Sequence, residues 1–225
     1  ELLLRYCGLK EHLPIVGRLQ HGWEPTLDAA IESVAQSKLQ RIYTWSQHAI
    51  DRSRGHPSVA LVPVGAPYLY LPPATDPGPF WPHGLLAVPV HSIVNIRVQR
   101  AALSRWFGAV ADYACAQGLS PVTVLIHWED DTDDIRAEIR SHNFQPVTCG
   151  PVMDSAFLLR FRAIARRHAT VASNVLCTAI LYALLERRAA HVLAVDGCFD
   201  FDGIDMRAAN QNQKAAADTG KLILY

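Results

Sequence analysis

Apolar and polar positions alternate in two rhythms along the second half of the chain, and the rhythm changes mark the elements. Leu103, Phe107, Val110 and Ala114 recur at helical spacing, which predicts a helix over 100–118 ending at Gly118. The run "PVTVLIHW" (121–128) is almost continuously apolar and β-branched, the pattern of a strand covered on both faces. A helix follows over 131–142, with acidic residues in its first turn where the dipole favours them. The pattern then predicts a short strand (145–150), a helix with a basic end (154–168), a strand (169–174), a helix (175–188) and a strand (191–197). Strands and helices so interleaved argue for βα units and a parallel sheet with helices on both faces, a Rossmann-like half over about 96–225.

The first half is less regular. Its pattern predicts a strand at 15–23, a helix at 26–37 with Thr26 as its cap, a strand and short helix at 41–50, and an apolar segment at 58–71. A loop rich in Pro and Gly, "PPATDPGPFWPHG" (72–84), precedes the apolar "LLAVPVHSI" (85–93). The expected fold class is α/β, with two Rossmann-like halves, 1–95 and 96–225, meeting near 93–98. The chain opens inside a helix-like "ELLLRYCGL", so a preceding N-terminal portion is expected. The C-terminal tail has helix-forming composition and weak amphipathicity.

Composition narrows the class. The chain has 225 residues, enough for one large domain or two small ones, and carries no formal net charge, so no field points to nucleic acid. Five scattered cysteines without a Cys-x-x-Cys pair argue against a disulfide framework or zinc site and for a reducing, cytoplasmic setting. Signatures of dehydrogenases, ATPases, serine hydrolases and zinc peptidases are all missing from the sequence.

In an open parallel sheet, ligands gather beyond the carboxyl ends of the strands. The predicted ends hold His21-Gly22, Trp45-Ser46, Gly65-Ala66-Pro67, His91-Ser92, His127-Trp128-Glu129-Asp130, Cys149-Gly150, Ser173-Asn174 and Asp196-Gly197, a polar and aromatic set for one rim. Ser173 and Asn174 read either as a helix cap or as the edge of an anion site, with Thr178 one turn into the same helix. His21 and His91 read either as loop histidines or as acid, base or phosphate partners. The cluster "EDDTDD" (129–134) reads as a solvated helix start or, less readily, as a site for a hard cation. His83, His168 and His191 read as structural.

The ordered set "HGW", "YTWS", "GAPYLYL", "LLAVPVHS", "TVLIHWEDD" and "FLLRFRAIARRHATVASNVLCTAILYALL" resembles bacterial surface-polysaccharide glycosyltransferases of the two-domain GT-B type. It is most similar to enzymes of capsule and lipopolysaccharide assembly, including Kdo and sialic acid transferases that use CMP-sugars. The resemblance implies a metal-independent transferase with no cofactor beyond its nucleotide-sugar co-substrate. It places the donor phosphate on Ser173, Asn174, Thr178, His91 and Ser92, although Ser92 stands where those enzymes carry proline. His21, with Glu129 as second choice, is the expected catalytic base on the acceptor side, the acceptor being a glycan or glycolipid. Peripheral association with the inner membrane or an assembly complex is a further expectation. The alternatives are a non-catalytic module of such a complex and a sugar-nucleotide epimerase or hydrolase.

Overall fold

The computed structural model describes residues 2–10, 13–14, 16–20, 22–24, 26–73, 78–92, 97–151, 154–195 and 199–200. It is an α/β protein with two parallel sheets, and the chain divides into two compact units between Pro73 and Ala74.

The first unit begins with a short helix, α1 (Leu2–Tyr6). A three-stranded parallel sheet follows, formed in order by β1 (Arg18–Leu19), β2 (Arg41–Thr44) and β3 (Ala60–Pro63). Between them run α2 (Asp28–Ala35) and α3 (Gln47–Asp51), and a 3₁₀ turn, Pro67–Tyr70, follows the sheet. Leu27, Ala30, Ile31 and Val34 bury the inner face of α2 against Ile42 and Val59. Thr26 does not cap this helix. Its start is instead held from the α3 end, where Ser53 Oγ accepts from Leu27 N–H at 2.8 Å and Arg54 pairs with Asp28 at 3.3 Å.

The second unit contains β4 (Trp81–Val88), β5 (Arg97–Val98), α4 (Arg100–Gln117), β6 (Val122–Ile126), α5 (Asp133–Ser141), β7 (Gln145–Thr148), α6 (Phe157–Arg166), β8 (His168–Ser173), α7 (Thr178–Leu185), β9 (Ala189–Val192) and β10 (Phe199–Asp200). β5 and β10 pair as a two-stranded antiparallel ribbon. The main sheet has five parallel strands in the order β7-β6-β4-β8-β9, which is 3-2-1-4-5 counted from its first strand. This is the doubly wound order of Rossmann-like sheets.

The division differs from the expected boundary at 95/96. β4 was assigned to the first half, yet it is hydrogen-bonded to β6 on one side and β8 on the other, at the centre of the second sheet. Consecutive β4 residues face opposite ways, and Leu85, Leu86 and Ala87 are all fully buried because helices cover both faces. Leu85 and Ala87 join Leu103, Trp106, Phe107, Val110 and Ala114 of α4 in the larger core cluster, closed by Val122, Val124, Ile126 and Ile139. Gly118 ends α4 in the left-handed conformation (φ 61°), which glycine adopts without a side-chain clash.

At the amino edge of this sheet a buried histidine ties three elements together. His168 Nδ1–H donates to Ile164 O, and Thr123 Oγ–H donates to Nε2, both at 2.8 Å. Gly84 is required beside it, since a Cβ there would lie 2.8 Å from Trp81 Cβ and 3.1 Å from the His168 ring. Burial lowers the His168 pKa from its ordinary 6.5 to about 4, with Arg167 adding to the shift and the Ile164 carbonyl opposing it. The unfolded chain then binds a proton below pH 6.5 that the folded chain refuses. Stability is therefore full above pH 6.5 and falls as pH drops towards 4, by up to about 3 kcal/mol from this residue. Urea unfolding at pH 7 and pH 4.5 should show that loss in the parent and a smaller one in His168→Gln. An equal loss in both would show that His168 is not its source.

Candidate functional site

The order of the five-stranded sheet creates one topological switch point. From β4 the chain winds outward through β6 and β7, then returns to β8 on the other side of β4 and winds outward again. The segments leaving β4 and β8 therefore part company at their carboxyl ends, the place where doubly wound sheets take ligands. Register pairs Val88 with Ser173 as the last rung between the two strands.

One residue further, a side chain continues the ladder. Asn174 Oδ1 accepts from Val90 N–H at 2.7 Å, bridging positions 84 residues apart. Ser92, almost fully buried, ties the same segment to two others: its N–H donates to Asp130 Oδ2 at 2.8 Å, and its Oγ accepts from Val98 N–H at 3.1 Å. The segments after β4, β6 and β8 are thus pinned to one another by partly buried polar contacts.

Two imidazoles lie on this frame. The rings of His91 and His127 are stacked, centroids 4.0 Å apart and planes within 14° of parallel. A carbonyl oxygen only accepts, so His91 Nδ1 carries the proton it donates to Ser92 O at 2.7 Å. The neutral ring therefore has its lone pair on Nε2, the arrangement of a base or anion partner once protonated. His127 Nδ1 receives Glu129 N–H at 3.4 Å, a long contact that favours the opposite tautomer, with its proton on Nε2. Trp128 is 42% exposed beside them, its ring 6.0 Å from His127.

The expected site residues sort as follows. His91, Ser92, Ser173 and Asn174 are brought to one switch point, and Glu129 lies exposed on the adjoining loop. Ser173 is fully buried, with Cys177 Sγ 3.5 Å from its hydroxyl. Neither Ser173 nor Asn174 caps a helix. The helix expected over 175–188 is α7, Thr178–Leu185, and its cap position is Cys177 with no side-chain cap bond. Asn174 is drawn instead to a distant backbone amide, and holds the segment after β4 to the end of β8. Thr178, half-buried, opens α7 rather than lying a turn inside it.

The acidic run is divided among local duties. Asp130 holds Ser92, Asp131 forms a two-point ion pair with Arg136 at 2.5 and 2.6 Å, and Thr132 caps α5 through Ile135 N–H. His21 and Asp196-Gly197 lie outside the described residues, as do Cys198 and the C-terminal tail.

In the first unit, the carboxyl ends of β1 and β2 are locked by buried Gln20. Its Oε1 accepts from Thr44 Oγ at 2.6 Å and Trp45 N–H at 2.9 Å, and its Nε2 donates to Gly22 O at 2.9 Å. Glu24 on the following loop is half-buried, and burial raises its carboxyl pKa, partly offset by Arg18. Sequence reading missed Glu24, because nothing local marks a loop carboxylate as desolvated. It noted His127 only as part of a rim, since its stacking partner is distant in sequence.

Asn174→Ala should leave the Val90 N–H without its acceptor, destabilising the protein by roughly 1–3 kcal/mol. Hydrogen exchange should localise the effect, with the Val90 amide exchanging faster in the variant. Unchanged Val90 protection would show that the bridge is not formed in solution. Comparison of the chain with protein-family models, with curated proteins and with solved structures produced no match.

Proposed function

We propose that the chain is a glycosyltransferase of the GT-B kind whose second unit binds the donor nucleotide in the crevice beyond β4, β6 and β8. The observation that supports this most is the stacked His91–His127 pair, fixed at the switch point of a 3-2-1-4-5 parallel sheet. A nucleotide sugar leaves as a phosphate anion, so the site needs groups that stabilise negative charge as the glycosidic bond breaks. An imidazolium from this pair and the first N–H groups of α7 are such groups, and Thr178 adds a hydroxyl at the same helix end. Ser92, Ser173 and Asn174 act as positioning residues behind them.

Glu129 takes a different role from the base first considered. It follows the second strand of the winding order, where doubly wound nucleotide-binding sheets place the carboxylate that accepts from ribose hydroxyls. Its exposed carboxylate beside Trp128 suits a ribose and a stacked base. The group that takes the acceptor's proton is in this reading His21, the base that the sequence suggests.

A thermal-shift panel of CMP, CDP, UDP and GDP tests the binding claim. A ligand at 100 times its dissociation constant should stabilise the protein by about 2.7 kcal/mol, and the matching nucleoside should do much less. Thr178→Val, which keeps the shape and removes one hydroxyl, should weaken nucleotide binding by about 1.5–3 kcal/mol. No stabilisation by any nucleotide would sink the proposal. Binding without transfer or hydrolysis of the matching sugar nucleotide would favour a non-catalytic module.

A further inference from the structure

The amino edge of the same sheet, opposite the crevice, gathers charge of one sign. Arg166 and Arg167 stand at the end of α6, Arg187 and Arg188 just beyond α7, and Phe80 and Trp81 where β4 begins. Arg167 lies over the Trp81 ring at 4.1 Å and Arg188 over the Phe80 ring at 5.1 Å. Arg166, Leu185, Glu186, Arg187 and Arg188 line one open hollow of about 310 Å³. Glu186 is the acid among these residues, 3.5 Å from Arg166, so it offsets one of the four positive charges and the edge keeps an excess of arginine.

Local stability does not account for the whole arrangement. Cations at helix C-termini complement the helix dipole, which explains part of the charge. It does not explain why Phe80, Leu184 and Leu185 stand beside them about half exposed. Nor does it explain why the Nε donors of Arg167 and Arg188 are buried without an acceptor among the described residues. Packing on aromatic rings holds these two guanidinium groups in place at the cost of a hydrogen bond each. The chain as a whole has no net charge, so this is a local concentration, not a general basicity.

We propose that this edge is a docking surface for an anionic lipid bilayer, with the arginines taking headgroup phosphates and Phe80, Leu184 and Leu185 entering the acyl boundary. Arginine forks match phosphate oxygens, and exposed apolar side chains beside them are what an interfacial anchor requires. A nucleic-acid surface would match the charge but give the aliphatic leucines no partner. Among the described residues no helix is long and apolar enough to cross a membrane. The switch point lies at the other end of the strands of this sheet. This surface does not rest on the nucleotide proposal, and each can fail without the other.

Co-sedimentation of the full chain with vesicles is the test, using phosphatidylcholine alone and phosphatidylcholine mixed with phosphatidylglycerol. The parent should partition onto the anionic vesicles and not the neutral ones, less so as salt rises. Arg187 has a left-handed backbone (φ 56°), so Arg187→Gly removes the charge without strain and should lower partitioning roughly fivefold. Replacing Leu184 and Leu185 together by Ser changes no charge and should lower it roughly tenfold. Circular dichroism of each variant confirms folding. Equal binding to neutral vesicles, no binding, or full binding by both variants would overturn the proposal. So would binding of a single-stranded oligonucleotide, abolished by Arg187→Gly, in a protein that ignores vesicles.

Discussion

The geometry of the second unit depends on how the ends of β4 and β8 are kept together while their chains diverge. Backbone pairing stops at Val88 and Ser173, and beyond that rung the segments have no ladder to hold them. Asn174 supplies the missing acceptor for Val90 N–H at 2.7 Å. With that bond in place, Ser92 is buried where Asp130 can accept from it, which joins the loop after β6 to the same frame. The His91–His127 stack spans these two loops, so its alignment follows from those contacts. A side chain whose dipole is fixed before a ligand arrives needs no reorganisation when charge develops beside it.

Much of this order was legible in the sequence. The alternation of β-branched runs with helical spacing from residue 100 onward located β6 to β8 and α4 to α7. β9, by contrast, runs Ala189–Val192 and not over 191–197, because none of its residues is fully buried and it shows no clear period. What failed was connectivity across long range. β4 was read as the end of the first half, since the central strand of a doubly wound sheet has no local mark that distinguishes it from an edge strand. Its first four residues, Trp81 to Gly84, looked like the tail of a Pro- and Gly-rich loop. The glycine is there because the Trp81 side chain and the His168 ring leave no room for a Cβ.

The Ser173-Asn174 pair shows the same limit at the site. Both residue types are good caps, so local propensity assigned them to the start of a helix. The structure gives Asn174 a partner 84 residues away and starts α7 four residues later, at Thr178. The rim of polar residues was legible, but not which of them hold the loops to one another. Composition hid a second feature in a similar way. Balanced charge over the chain conceals four arginines gathered at the amino edge, because only the fold brings the ends of α6 and α7 beside the start of β4.

The central claim is that a nucleotide occupies the crevice at the switch point. Backbone amide shifts of the isotopically labelled protein, followed by NMR during titration with CMP, CDP, UDP and GDP, test it most directly. The account predicts that at least one nucleotide moves the amides of Val90 to Ser92, His127 to Asp130 and Asn174 to Thr178 together, with a single dissociation constant. Saturating concentrations of all four that leave these amides unmoved, or shifts confined to the three-stranded unit, would contradict it.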